Sequence, residues 1–219
     1  MDFHCGRTLV LDPVEDQRPW DVLTLSNGKV FITATNPSGY SNVLIEADLA
    51  NGVQRVRTDA GVSGNINGNV MGRSLDHSVI VLNCGPDFFQ RYDVATDHFG
   101  ERKSASSAVP PVIDATGTRI AVGLDVYDAS LQYLRRINSP LPPSGAAIPT
   151  ALSADGDEFY QLFARPGVVR SRVSDGAILD RVINGIRADQ IRISDDGTML
   201  VTFARFDGPT GGVSTIDLR

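Results

Sequence analysis

Leu152-Ser153-Ala154-Asp155-Gly156-Asp157-Glu158-Phe159-Tyr160 is the stretch on which the fold turns. A small polar residue, then Asp-Gly, then an apolar run is the composition of a tight reversal feeding a strand. Glycine supplies positive φ, and the Asp side chain bonds to its own backbone. The unit recurs as Leu25-Ser26-Asn27-Gly28-Lys29-Val30-Phe31, Ser74-Leu75-Asp76-His77-Ser78-Val79-Ile80, Asp114-Ala115-Thr116-Gly117-Thr118-Arg119-Ile120 and Ser194-Asp195-Asp196-Gly197-Thr198-Met199-Leu200. The turn glycines, with His77 in place of one, stand 49, 40, 39 and 41 residues apart.

Each reversal is followed by a short apolar strand, such as Val30 to Ala34, Ile120 to Gly123 or Met199 to Phe203. A second strand ending in an acidic or small polar residue comes next, as in Leu44-Ile45-Glu46-Ala47-Asp48 and Asp125-Val126-Tyr127-Asp128. A last strand completes the unit: Val53 to Arg57, Gln132 to Ile137, Ile178 to Val182. Four antiparallel strands repeating every 40 or so residues build a propeller blade. No segment sustains a helical apolar period, so helices should be nearly absent. The fold expected is all-β: one domain over residues 1–219, a five-bladed β-propeller of four-stranded antiparallel blades. A fragment of a six- or seven-bladed propeller is the alternative.

The Leu152–Tyr160 stretch resembles the Ser-Pro-Asp-Gly strand pair of the YVTN-type and WD-repeat-like bacterial β-propellers. Val30-Phe31-Ile32-Thr33 with Val43-Leu44-Ile45-Glu46-Ala47-Asp48 is similar to the YVTN repeat itself. The likeness extends over nearly the whole chain and is architectural. It implies the fold but no activity, since that family holds lactonase-like enzymes and many non-enzymatic members.

The last repeat stops after its third strand, and one spare strand, Arg7-Thr8-Leu9-Val10-Leu11, precedes the first. That strand is expected beside Val213 to Leu218, completing the final blade. In a meander of strands a, b, c and d, the a–b and c–d turns share one end of the blade. The b–c loops and the connections between blades share the other. The first set is short; the second is long, as in Thr35 to Asn42, Ser139 to Ala147 and Arg205 to Gly212. Variable loops on a rigid scaffold are where binding residues gather.

Counted from the turn-leading serine, Asp21, Asn69 and Asp189 stand at one repeat position, at the channel mouth on the long-loop side. Converging oxygens there suit Ca²⁺ or a hydroxyl-rich ligand; the plainer reading is that they cap loop backbone. Phe163-Ala164-Arg165 and Phe203-Ala204-Arg205 put two arginines on equivalent loops, a pattern suited to a carboxylate or phosphate, or simply inherited with the repeat. Tyr40, Asp87, Phe88 and Phe206 lie on the same face and are candidate ligand contacts. Arg55, Arg57, Arg102, Lys103, Arg135, Arg136 and Arg181 read as charges guarding exposed blade edges, and Trp20 as a packing anchor between blades.

The enzyme case is thin. His4, His77 and His98 fall on the short-turn face, and no nucleophile–base set or zinc spacing assembles around them. Catalysis by carboxylates, with Asp21 and Asp189 as the pair, is the alternative. Net charge is −6 with a pI near 5.0, which disfavours nucleic acid and anionic lipid as partners. The longest aliphatic run, Val79-Ile80-Val81-Leu82, is far too short to span a bilayer, and Met1 to Cys5 lacks the order of a secretory signal. Cys5 and Cys84 are expected at opposite ends of different blades, too far apart for a disulfide. The function expected is a soluble, non-catalytic recognition module for a protein or small-molecule ligand. A hydrolase or lyase, carboxylate-based or metal-assisted, is the second reading. No cofactor other than a possible Ca²⁺ is implied.

Overall fold

The computed structural model describes residues 18–35, 42–62, 70–84, 88–105, 109–139, 149–163, 167–183, 190–194, 196–204 and 212–217. Among them there is no helix, and hence none long and apolar enough to cross a membrane. Twenty strands form five antiparallel sheets in chain order.

Blade one holds β1 (Arg18–Thr24), β2 (Lys29–Thr35), β3 (Asn42–Asp48) and β4 (Val53–Val56). Blade two holds β5 (Val70–Arg73), β6 (Val79–Asn83) and β7 (Phe88–Asp93), with an outer strand broken into β8 (His98–Phe99) and β9 (Lys103–Ser104). Blade three is β10 (Val112–Ile113), β11 (Arg119–Val122), β12 (Asp125–Asp128) and β13 (Tyr133–Arg136). Blade four is β14 (Thr150–Leu152), β15 (Glu158–Phe163), β16 (Gly167–Arg172) and β17 (Ile178–Ile183). Blade five shows β18 (Gln190–Ile193), β19 (Met199–Ala204) and β20 (Gly212–Asp217). The proposed closing strand, Arg7 to Leu11, lies outside the described residues.

The a–b turns explain their composition. In blades two, four and five the leading serine hydroxyl accepts the N–H of the residue five ahead, Val79, Glu158 or Met199, at 2.9–3.0 Å. The same hydroxyl donates to Asp76, Asp155 or Asp196 at 2.5 Å. Asp114 does this work in blade three, accepting from Thr118 and Arg119. His77 takes the left-handed conformation, φ 59°, in the place that glycine holds elsewhere. Backbone bonds then tie turn to turn: Ser26 N–H to His77 O, Asp76 N–H to Ala115 O, Ala115 N–H to Ala154 O.

Blade one departs from the register assumed above. Its turn runs from Leu25 to Lys29, one residue shorter than Ser74 to Val79, and Leu25 makes the bonds that the leading serines make elsewhere. Ser26 is therefore not the leading residue. Asp21 stands four residues before the turn, Asn69 and Asp189 five before theirs. A slip of one residue moves a strand side chain to the other face, so the three do not share a repeat position.

The core lies between blades. Phe31, Leu44, Met71, Ile80 and Tyr92 join blades one and two. Val79, Val81, Phe89 and Ile120 join two and three; Ala121, Val126 and Phe159 join three and four; Tyr160, Leu162, Ile191 and Leu200 join four and five. The seam between blades five and one differs. Val22 is 54% exposed, whereas the residues at its ladder position, Met71, Thr150 and Ile191, are 2%, 7% and 3% exposed. Across the seam Phe203 is 38% exposed, against 3% for its counterpart Leu162. Trp20 is 56% exposed and does not pack as an interblade anchor.

Candidate functional site

The five inner strands converge on one axis. β1, β5, β10, β14 and β18 all contribute to a cavity of ≈ 380 Å³ that occupies the channel. Its wall mixes aliphatic residues such as Leu23, Val112 and Ile191 with the polar residues Asp21, Arg73, Ser74, Thr150 and Arg192. At the turn end blades meet across the axis. A Cβ on Gly197 would lie 2.5 Å from Ala154 Cβ of blade four and 3.8 Å from Leu75 Cδ1 of blade two. That contact, added to a φ of +71°, favours glycine here, whereas His77 takes the equivalent place in blade two.

Asp21 is aimed by an irregularity in β1 between Pro19 and Asp21, the usual effect of a bulge. One carboxylate oxygen accepts the Val22 N–H at 2.9 Å, and the other accepts the Met71 N–H of blade two at 2.9 Å. Asp21 thus bridges two blades through backbone donors. Asn69 and Asp189 lie outside the described residues, and among those described no three His, Cys, Asp or Glu side chains gather to hold a metal. At the turn end Arg73 donates to Thr24 Oγ1 at 2.7 Å and lies against the His77 ring. That places His77 in a second bridge between blades one and two, on the short-turn side as its position in the repeat implies.

Arg57 is not an edge charge. It is 4% exposed, one residue beyond β4. Its guanidinium reaches Glu46 at 2.6 Å, Asp97 at 2.5 Å and Asp59 at 2.6 Å, and it lies over the rings of Tyr92 and Phe99 at 5.2 Å. In blade three the equivalent residue is Ile137, which makes the same backbone bond with a buried aliphatic side chain. Burial would raise the Glu46 carboxyl, but donation from Arg55, Lys29 and Arg57 outweighs it and holds the group below its ordinary range. Asp97 is lowered strongly, by the Tyr92 hydroxyl first and then by Arg57 and Arg55, despite a smaller opposing effect of burial. Burial, with the bond to Asp97, pushes Tyr92 up to about 12. With the ring of Phe31 at 5.8 Å as a third, a cation with three carboxylates and three rings cements blades one and two.

Of the loop residues expected to contact a ligand, Tyr40, Asp87, Arg165, Arg205 and Phe206 lie outside the described residues. Phe88 is described: it is half-buried at the start of β7, on the long-loop rim, with Arg102 over its ring. Sequence position alone had put Arg102 among the edge charges. The signal that could have singled it out is the pair Phe99-Gly100, which interrupts the outer strand just before it.

No protein-family profile and no curated protein matches the chain. Solved structures do. The chain is similar to the β-propeller domain of Cps50 (Swd1) from Myceliophteria thermophila, with TM-score 0.66 and 13% identity over 89% of this chain and 65% of that one. It is also similar to hydrazine synthase from Kuenenia stuttgartiensis, with TM-score 0.60 and 16% identity over 92% of this chain and 63% of that one. The fold is a β-propeller. At these identities the likeness reaches the arrangement of blades and no further. The chain spans just under two thirds of the length of each of these two structures.

Proposed function

We propose that this propeller is a non-catalytic recognition module, taking a protein or small-molecule ligand on the face where the b–c loops and the interblade connections gather. The observation that carries the reading is the convergence of all five inner strands on one cavity, walled by aliphatic and polar side chains together, a concave setting of the kind that ligands occupy. Of the described ionisable groups that line the cavity, Asp21 and Arg73 hold blades one and two together. Asp21 is bound by two backbone N–H groups, and His77 sits with Arg73 and Thr24 at the turn end. The fold of the Cps50 propeller domain supports a scaffold of this kind without naming a ligand.

Thermal shift against a panel of small carboxylates, sugars and short peptides tests the proposal. A ligand that binds only the folded state raises the melting temperature, by about 2.7 kcal/mol of stabilisation at a hundredfold excess over its Kd. The shift should disappear in Val112→Phe, which fills the cavity, or in Phe88→Ala at the rim, and persist in Arg135→Ala on the outer strand. A ligand whose effect survives both of the first two variants, or one that is consumed on incubation, overturns it.

A further inference from the structure

Blade two departs from the other blades at its outer edge. β4, β13 and β17 are continuous, but β8 and β9 are separated by Gly100, Glu101 and Arg102. β8 pairs with Tyr92 and Asp93 at the short-turn end of β7, and β9 pairs with Phe88 and Phe89 at the long-loop end. Between them Gly100 N–H bonds to Arg91 O, so the chain bulges instead of continuing the ladder. The break costs pairing and delivers one side chain, Arg102, to the long-loop rim.

What Arg102 meets there is shaped to receive it. Its guanidinium carbon lies 4.7 Å from the centroid of Phe88. Alongside runs the backbone of Gly61, in the connection from blade one; a Cβ at that position would fall 2.2 Å from Arg102 Cζ. Gly61 is itself held, because the buried Cys84 thiol donates to its carbonyl at 3.1 Å. The guanidinium plane is therefore fixed by a ring and by bare backbone. Among the described residues no carboxylate or carbonyl takes its N–H donors, and the residue is exposed. Every other interblade arginine described above is bound to acceptors.

We propose that Arg102, stacked on Phe88 and fitted against Gly61, is a carboxylate-recognition site on the long-loop face, the ligand being a carboxylate group offered by an acidic peptide or by a small organic acid. A planar fork whose donors none of the described residues takes matches a carboxylate through two parallel hydrogen bonds. Stacking orients the fork before binding, so less freedom is lost on association. The chain is acidic overall, so a built cationic point on its rim selects for anions where the net charge repels them. This inference rests on the long-loop face being the recognition face, and it names the chemical class that the face takes.

Isothermal titration of the whole chain, at low and at physiological salt, with a capped tetraglutamate peptide, with glutarate and with inorganic phosphate provides the test. Carboxylate binding is expected, weakened roughly tenfold or more in Arg102→Ala. Arg102→Lys, which keeps the charge and loses the fork, should weaken it nearly as much. Gly61→Ala, which keeps the arginine and displaces it from Phe88, should do the same while the melting temperature stays close to that of the parent. Binding of the peptide but not of glutarate assigns the ligand to a protein; equal binding of both assigns a free acid; either supports the site. Equal affinity in the parent and in Arg102→Ala, or binding of phosphate alone, overturns it. Failure of all three probes also overturns it, and the broader reading then stands or falls separately on the Val112→Phe and Phe88→Ala thermal shifts with uncharged ligands.

Discussion

Arg57 shows how far a single residue can depart from what its place in a strand suggests. A basic residue at the end of an outer strand reads as a solvated edge charge, yet this one is enclosed by Glu46, Asp59 and Asp97. Removing one partner of a buried ion pair typically costs about 3–5 kcal/mol because the other charges stay behind. Arg57→Ala should fall near the lower end in urea unfolding, since Arg55 and Lys29 still neutralise Glu46. A loss below about 1 kcal/mol would mean that the cluster is incidental. The carboxyls of Glu46 and Asp97 are lowered in the folded state, so their contribution is complete above the unfolded carboxyl range near pH 4 and declines as the pH falls through their folded values. The acid limb of the stability curve should be flatter in Arg57→Leu than in the parent. Tyr92 is displaced the other way, to about 12. Its contribution is full below the ordinary tyrosine value near 10 and is lost as the pH rises toward 12, which phenolate absorbance during alkaline titration reads directly. Asp21 has a simpler role. Asp21→Ala strands the Met71 N–H and should cost about 1–3 kcal/mol, equally in Ca²⁺ and in chelator; a loss seen only with Ca²⁺ would return that carboxylate to cation binding.

At the scale of elements, the a–b hairpins are where sequence and structure agree most closely. Their Ser-x-Asp-Gly pattern is a local device: hydroxyl, carboxylate and positive φ satisfy the turn without outside help, so it is legible in any single copy. Two glycines separate the turn from its packing. Gly28 and Gly197 both have positive φ, but a Cβ at Gly28 meets nothing within 4 Å and one at Gly197 meets Ala154 at 2.5 Å. Gly28→Ala should cost only the backbone term, roughly 1–2 kcal/mol, and Gly197→Ala clearly more, both read from denaturant midpoints. Equal costs would mean that the blade-five turn does not bear on blade four. The register of blade one was not legible, because Ser26 mimics a leading serine and only the hydrogen bonds of Leu25 show that its turn is one residue short. The broken outer strand of blade two was likewise hidden, since Gly100 could as well have ended the strand.

For the molecule as a whole, the exposure of Val22 and Phe203 leaves the seam between blades five and one less covered at its inner strand than the other seams, although Val30, Ile32, Ala34, Ile45 and Ala47 of blade one are buried on that side. Local opening has a lower free energy where apolar contact is sparse. Amide hydrogen exchange should therefore be faster in β1 and β18 than in β10 and β14, whose neighbours are packed on both sides. Uniform protection across the inner strands would show that the ring has no preferred point of opening. Repetition itself determined the blades: five copies of one hairpin unit, each with two apolar faces, can bury both only by stacking around an axis, and that follows from pattern and period alone. Which residues face one another across a seam did not follow. It depends on the register of each blade against its neighbour, a relation between segments 40 residues apart that no local rule encodes. So Arg57 passed from edge to core, Asp21 from channel mouth to interblade bridge, and Arg102 from edge guard to a stacked guanidinium on the rim. Contacts within a turn are dictated by the chain next to them, whereas burial and charge pairing between blades are decided only when the sheets close on each other.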